Sequence, residues 1–186
     1  MRGAPRGAYV IHIEPSSHDA KRAYAVIDDH RRGDFAPHVL RTDDLGRSWR
    51  PLALDAVDGW ALVIEEDPVD PMLLFLGTEH GLHVSIDGGQ RFVPFRHGVP
   101  ATPVTDVVVH PREHDLVVAT HGRGLFVIDD IRPLRALGHP GARAERRLFC
   151  ASPSRRRRSS TSSSRREHRA FLAMASSGEP TAPMAR

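Results

Sequence analysis

The side chains best equipped for chemistry fall in three short stretches: Asp28, Asp29, His30, Arg31, Arg32 and Asp34; Glu79 with His80; and His121 with Arg123. Carboxylates set among imidazoles and guanidiniums permit two kinds of work. Arg31 and Arg123 can grip an anion in the two-pronged manner of a guanidinium, and Asp28, Asp34 or Glu79 can act as acid or base at a glycosidic bond. Exposed loops carry the same residue types with no ligand at all, and that plainer reading stands beside the chemical one. His97 belongs to a further polar segment, residues 96–103. His110, His114 and His121 invite a zinc reading, but their spacing matches no standard zinc motif, and His110 precedes Pro111 as a strand end entering a turn does. No metal and no cofactor is expected. Cys150 is the only cysteine, which excludes an internal disulfide and a thiolate cluster.

The elements that must position these groups repeat. Thr42, Asp44, Gly46 and Trp49 coincide with Ser85, Asp87, Gly89 and Phe92 at a spacing of 43 residues, and a further 43 residues from Asp87 lies Asp130. Pro68 and Pro111 keep the same spacing. The third copy is degenerate, with Ile128 in place of the hydroxyl and Arg132 in place of the glycine. In the first copy Pro15 stands 53 residues before Pro68, and the surplus falls in residues 28–37, read as a lengthened loop.

Each unit divides into short aliphatic or β-branched runs separated by turn residues, the pattern of antiparallel strands. The runs are 9–13, 22–27, 38–41 and 49–52; then 60–65, 73–77, 82–85 and 91–95; then 104–110, 116–120 and 125–128, with no convincing fourth strand. Four strands in about 43 residues is the unit of a β-propeller blade. The expected fold is therefore all-β, a partial propeller over residues 1–137 with blades near 9–52, 60–95 and 104–134. A linker at 138–150 and a disordered Ser/Arg-rich tail at 151–186 are expected to follow. No strong helix signal precedes residue 134.

The repeated pattern suits a tight turn between third and fourth strands. Asp44 and Asp87 can accept hydrogen bonds from backbone N–H groups a few residues on, Gly46 and Gly89 allow positive φ, and the Thr42 and Ser85 hydroxyls satisfy further turn groups. Trp49 and Phe92 are expected to plug the gap between neighbouring sheets. Asp129 and Asp130 complete the degenerate third copy. Reading Asp44 and Asp87 as catalytic carboxylates or calcium ligands is disfavoured, because recurrence in every blade places the copies far apart. With these turns on one rim, the loops 28–37, 78–81 and 120–124 open on the other, where Asp28, His30, Arg31, Asp34, Glu79, His80, His121 and Arg123 become the ligand-binding candidates.

Charge is unevenly placed. The chain has 26 basic and 23 acidic side chains and a pI near 9.7, yet eight arginines and only two acids lie in residues 151–186, leaving residues 1–150 at −3. The run 155–158 could touch phosphates electrostatically, but no aromatic residue interleaves with it to stack on bases, so nucleic acid is not the expected partner. No apolar run is long enough to span a bilayer, and residues 1–8 lack the apolar stretch of a signal peptide, so no membrane partner is expected and the compartment is left open.

The octapeptides TDDLGRSW (42–49) and SIDGGQRF (85–92) resemble the Asp-box, or BNR, repeats of sialidases, xyloglucan-active glycosidases, photosystem assembly propellers and sortilin-type ectodomains. More narrowly, AYAVIDDHRRGDF (23–35), LRTDDLGRSW (40–49), EDPVDPMLLFLGTEHGLHVSIDGG (66–89) and TPVTDVVVHPREHDLVVATHGRGLFVIDDIRPLR (102–135) are similar to late blades of large bacterial glycosyl hydrolase-like or sortilin-like proteins. That resemblance implies a fragment whose other blades lie outside this chain, and a truncated or frame-shifted gene would give such a chain. As it stands, the expected function is non-catalytic binding of a glycan or peptide, with the missing blades as partners. The alternative is part of a glycoside hydrolase whose catalytic carboxylates lie mostly in those blades. A third reading is a scaffold closed by oligomerisation. A sialidase would need a tyrosine nucleophile, but Tyr9 and Tyr24 both fall in strands of one blade.

Overall fold

A computed structural model describes residues 3–138. The expected tail at 151–186 and all but the first residue of the linker lie outside the described residues. Among those described, the chain is nearly all β. The first sheet runs β1 (Tyr9–Pro15), β2 (Ala23–Asp29), β3 (Asp34–Thr42) and β4 (Arg50–Pro51) in spatial order. The second repeats it as β5 (Ala61–Glu66), β6 (Leu74–Thr78), β7 (Gly81–Ser85) and β8 (Val93–Phe95). The third has only β9 (Val104–Val109), β10 (Leu116–Thr120) and β11 (Gly124–Ile128), and then a short helix, α1 (Arg132–Gly138). All pairings are antiparallel between sequence neighbours, so each sheet is an up-and-down blade.

Among the described residues the third blade has no fourth strand, as the sequence implied. Two details differ from the expectation. Residues 28–37 are not a loose loop: β2 and β3 extend into them, pairing Asp29 with Asp34 around a single helical turn at His30–Arg32. The extra length therefore prolongs a hairpin. The helix α1 also crosses the expected end of the third blade at 134, because Leu134 and Ile131 have an apolar cluster to enter.

Packing follows the pattern of side-chain alternation. Tyr24, Val26 and Val39 of the first blade meet Ala61, Ile64, Leu74, Leu76 and Phe92 of the second. The opposite face of the second blade offers Val63, Phe75, Leu82 and Val84 to Val104, Val107, Leu116 and Val118 of the third. Being covered on both faces, β6 and β7 are buried at every position, whereas β11 alternates between exposed and half-buried. The fit is tight at Gly77, where a Cβ would lie 2.6 Å from Val63 Cγ1 and 2.8 Å from the Val104 carbonyl oxygen. No helix among the described residues is long and apolar enough to cross a membrane.

Candidate functional site

The antiparallel blades have two rims. The strand-three to strand-four corners lie on one, and the β2–β3, β6–β7 and β10–β11 hairpins lie on the other.

At the corners, the first two blades repeat nearly every hydrogen bond. The Thr42 hydroxyl donates to Asp44 Oδ1 at 2.8 Å and accepts from the Gly46 N–H at 2.9 Å. The Ser85 hydroxyl donates to Asp87 Oδ1 at 2.7 Å and accepts from the Gly89 N–H at 2.9 Å. Asp44 Oδ1 then accepts from the Ser48 N–H at 2.8 Å, as Asp87 Oδ1 does from the Arg91 N–H at 3.0 Å. The paired positive φ values also recur, 62° and 81° at Leu45 and Gly46, 69° and 87° at Gly88 and Gly89. Hydrogen bonds from the Ser48 hydroxyl and N–H hold the Asp44 carboxyl down at about 2.

The third corner departs from this. Ile128 offers no hydroxyl, and Asp130 instead accepts from the Arg132 N–H at 3.1 Å and from its guanidinium at 2.7 and 2.9 Å. The chain then enters α1. The two aromatic plugs also differ in place. Phe92 fills the junction between first and second blades, while Trp49 lies against Ala25, Ile27 and Leu40 on the first blade's far face, a face also covered by Ala4 and Ala8.

On the hairpin rim, two of the three predicted groups come together around a residue the sequence reading had placed in a strand. The His30 ring stacks on Trp60, centroids 4.7 Å apart and planes 14° from parallel, and Phe35 tilts against the same indole at 5.7 Å. Trp60 is tied to the β6–β7 hairpin, because its carbonyl accepts from the Glu79 N–H at 3.2 Å. A Cβ on Gly59 would sit 3.0 Å from the His80 ring, and His80 Nε2 is 3.9 Å from Asp58 Oδ2. His30, Phe35, Asp58, Trp60, Glu79 and His80 thus share one patch over the junction of the first two blades. The only sequence signal for Trp60 was an aromatic beside a glycine at a strand start.

Two carboxylates beside the patch, Asp28 and Asp34, are held by their neighbours. Asp28 Oδ1 lies 2.6 Å from His30 Nδ1 and accepts from the His30 N–H at 3.0 Å. Burial opposes ionisation of Asp28, but those bonds and the Arg31 charge outweigh it and hold its carboxyl below the usual value. Bonds from the Ala36 N–H and His38 do the same for Asp34. Neither is set up to donate a proton near neutral pH. His121 and Arg123 lie apart: His121 is bound by its backbone to Pro103 and Thr102, and among the described residues no hydrogen bond or ion pair links that hairpin to the other two.

Sequence reasoning missed a second group, at the inner strands. Glu14 near the end of β1 and Glu65 on β5 are both pushed up to about 7, Glu14 by burial and then the charge of Glu66, Glu65 by burial and then the charge of Glu14. Glu65 Oε1 also accepts from the Val109 N–H at 3.3 Å, joining the second inner strand to the third. Only the packing of successive blades brings these carboxyls together, across 51 residues of sequence. No cluster of metal-binding residues occurs among the described residues.

No family model matches the chain, and no curated protein matches it in sequence. Among solved structures it is similar to an ancestral GH74 enzyme (TM-score 0.53, 18% identity), with 66% of this chain and 14% of that one covered. It is similar also to the GH74 enzyme of Niastella koreensis (TM-score 0.55, 17% identity), with 65% and 21% covered. A third match is YCF48 bound to D1 peptide, at TM-score 0.46 and 15% identity over 66% of this chain and 37% of that one. At these identities the GH74 likeness shows the fold, that of a β-propeller. The chain spans only 14% and 21% of the length of those two enzymes.

Proposed function

We propose that the chain forms successive Asp-box blades of a propeller that binds a glycan, without catalysis, on its hairpin rim. The observation carrying this reading is the His30–Trp60–Phe35 stack, ringed by Asp28, Asp58, Glu79 and His80. An aromatic platform gives a sugar ring an apolar face to lie on, and the carboxylates and the His80 ring around it can bind hydroxyls. The matching hydroxyl–aspartate–glycine corners support the Asp-box assignment. A glycan array screened with the purified chain is expected to give hits that vanish in Trp60→Ala and weaken in Glu79→Gln. A blank array, or hits that Trp60→Ala leaves unchanged, would sink the proposal.

A second reading, part of a glycoside hydrolase, draws on Glu14 and Glu65, whose raised protonation suits an acid catalyst. It requires release of product from aryl glycosides near pH 6 that Glu65→Gln abolishes; no release, or release insensitive to that change, dismisses it.

A further inference from the structure

A cleft of about 590 Å³ opens on the corner rim, between the first and second blades and at the other end of the strands from Trp60. Its walls are of two kinds. Arg22, Arg41 and Arg50 line one side, and Pro51, Leu52, Ala53, Pro71 and Met72 supply an apolar side, closed by the second corner at Asp87–Gln90.

The three guanidiniums converge on a single carboxylate. Asp43 accepts from Arg22 Nε at 2.9 Å, from Arg41 Nε and Nη2 at 3.0 and 2.8 Å, and from Arg50 Nη2 at 2.8 Å. One carboxylate cannot saturate three guanidiniums, each with five N–H donors. Arg22 Nη1 also lies 3.9 Å from Glu66, but that carboxylate is already taken by Tyr24, Ser16 and Ser17. The one acid in the cleft wall, Asp87, spends its Oδ1 on Ser85, Gln90 and Arg91. Arg50 remains 63% exposed, so its unused donors face solvent. Asp43 acts as a clamp that holds the three arginines together and leaves the solvent-facing N–H groups of Arg50 to a second anion.

The apolar side separates the candidate anions. A carboxylated sugar would want an aromatic surface or a set of hydroxyl acceptors, and the cleft is lined by none of the aromatic residues that gather on the hairpin rim. Proline, leucine and methionine suit an aliphatic side chain instead. The cleft also runs beside β4, the outermost strand of its blade, whose outward residue Pro51 offers a carbonyl and no N–H, so a ligand here is held through side chains.

We propose that this arginine-lined cleft is a second binding site, for an extended acidic peptide in which aspartate or glutamate carboxylates alternate with aliphatic residues. The carboxylate is held in bidentate fashion by Arg50 and Arg41, and the neighbouring aliphatic side chain lies on Leu52 and Met72.

Fluorescence anisotropy on the full chain tests this with a labelled peptide alternating aspartate and leucine. Binding is expected, weakened about tenfold or more in Arg50→Gln, weakened also in Met72→Asp, and lost for the peptide with asparagine in place of aspartate. Arg50 is exposed, so its replacement should leave the melting temperature unchanged. Equal binding of the asparagine peptide, an unaltered affinity in Arg50→Gln, or no binding of the acidic peptide would each overturn the proposal. So would preferential binding of tri-galacturonate, which would assign the cleft to acidic sugars. Trp60→Ala is expected to leave peptide binding intact, which keeps this result separate from the fate of the hairpin-rim reading.

Discussion

The corners of the first two blades and the corner of the third begin from equivalent positions and end differently. In the first two, a buried hydroxyl on the last residue of the third strand organises the turn, and a fourth strand follows. In the third, Ile128 occupies that position, the aspartate turns to Arg132, and the chain becomes a helix. Three blades therefore share one framework of strands one to three, while the corner that leads into a fourth strand is the one that keeps both its hydroxyl and its glycine, and the third corner has neither. The hydroxyl matters because it is both donor and acceptor at a point where water cannot reach: Thr42 is 2% exposed and Ser85 1%.

Substitutions can break this comparison, starting with the aromatic plugs that follow the two intact corners. Phe92 is 1% exposed within the junction of two blades, and Phe92→Ala is expected to cost about 3 to 5 kcal/mol by urea unfolding. Trp49→Ala should cost less than half as much, since Trp49 is half-buried on the far face. Equal losses would show that the far face of the first blade is packed as firmly as a blade junction.

The corner hydroxyl itself comes next. Ser85→Ala leaves the Gly89 N–H without its acceptor in a buried turn and is expected to lower stability by about 1 to 3 kcal/mol. At the degenerate corner the Asp130 ion pair is worth little, because its partner Arg132 is well exposed. Asp130→Ala is expected to cost about 1 kcal/mol, chiefly because alanine tolerates the left-handed φ of 59° there less well than aspartate. A large loss at Asp130 would mean that the third corner is held as the other two are.

The remaining effect is a pH dependence and concerns the inner strands, where Glu65 of the second blade corresponds to Val108 of the third by its pairing. Glu14 and Glu65, raised from 4.5 to about 7, bind protons more tightly in the folded chain than in the unfolded one. Their contribution is therefore full below about pH 4.5 and is lost as pH rises through about 7. The depressed carboxylates, Asp44 foremost, act in the opposite sense and only at lower pH, losing their contribution as pH falls from 3.8 towards 2. Stability should thus decline between pH 5 and pH 8 by an amount on the order of 1 kcal/mol after solvent screening, and the melting temperature should fall with it. Glu65→Gln should flatten that decline; an unchanged slope would show that the inner-strand acids titrate normally.

Much of the fold was legible because its signals are local. The spacing of Thr42, Asp44 and Gly46 against Ser85, Asp87 and Gly89 marked the corners, and strand-length aliphatic runs marked the blades. The missing fourth strand of the third blade was readable from the absence of such a run after Ile128. The hairpin 28–37 was misread as a loop because its strands are rich in Asp, Arg and His; cross-strand pairing, which a linear reading does not see, holds them extended.

The candidate site was legible only in part. His30, Glu79 and His80 were named for their chemistry, and they do share a patch, but its centre is Trp60, which local pattern assigned to a strand. Residues such as His121 and Arg123 look equivalent to the others by repeat position, and yet no aromatic stack among the described residues gathers them: His121 is bonded to Thr102 and Pro103, where the first two hairpins share Trp60.

What the sequence alone determined is whatever hydrogen bonds close within a few residues: the corners, their glycines and the division into blades. Tertiary structure decided which groups from different blades become neighbours. The Glu14–Glu65 pair, the Asp43 arginine clamp facing the second corner, and the stacking of His30 on Trp60 all depend on how one sheet lies against the next. That orientation is set by the summed packing of buried side chains such as Phe92 and Leu76 and by the close approach of the third blade at Gly77, and no local run of residues encodes it.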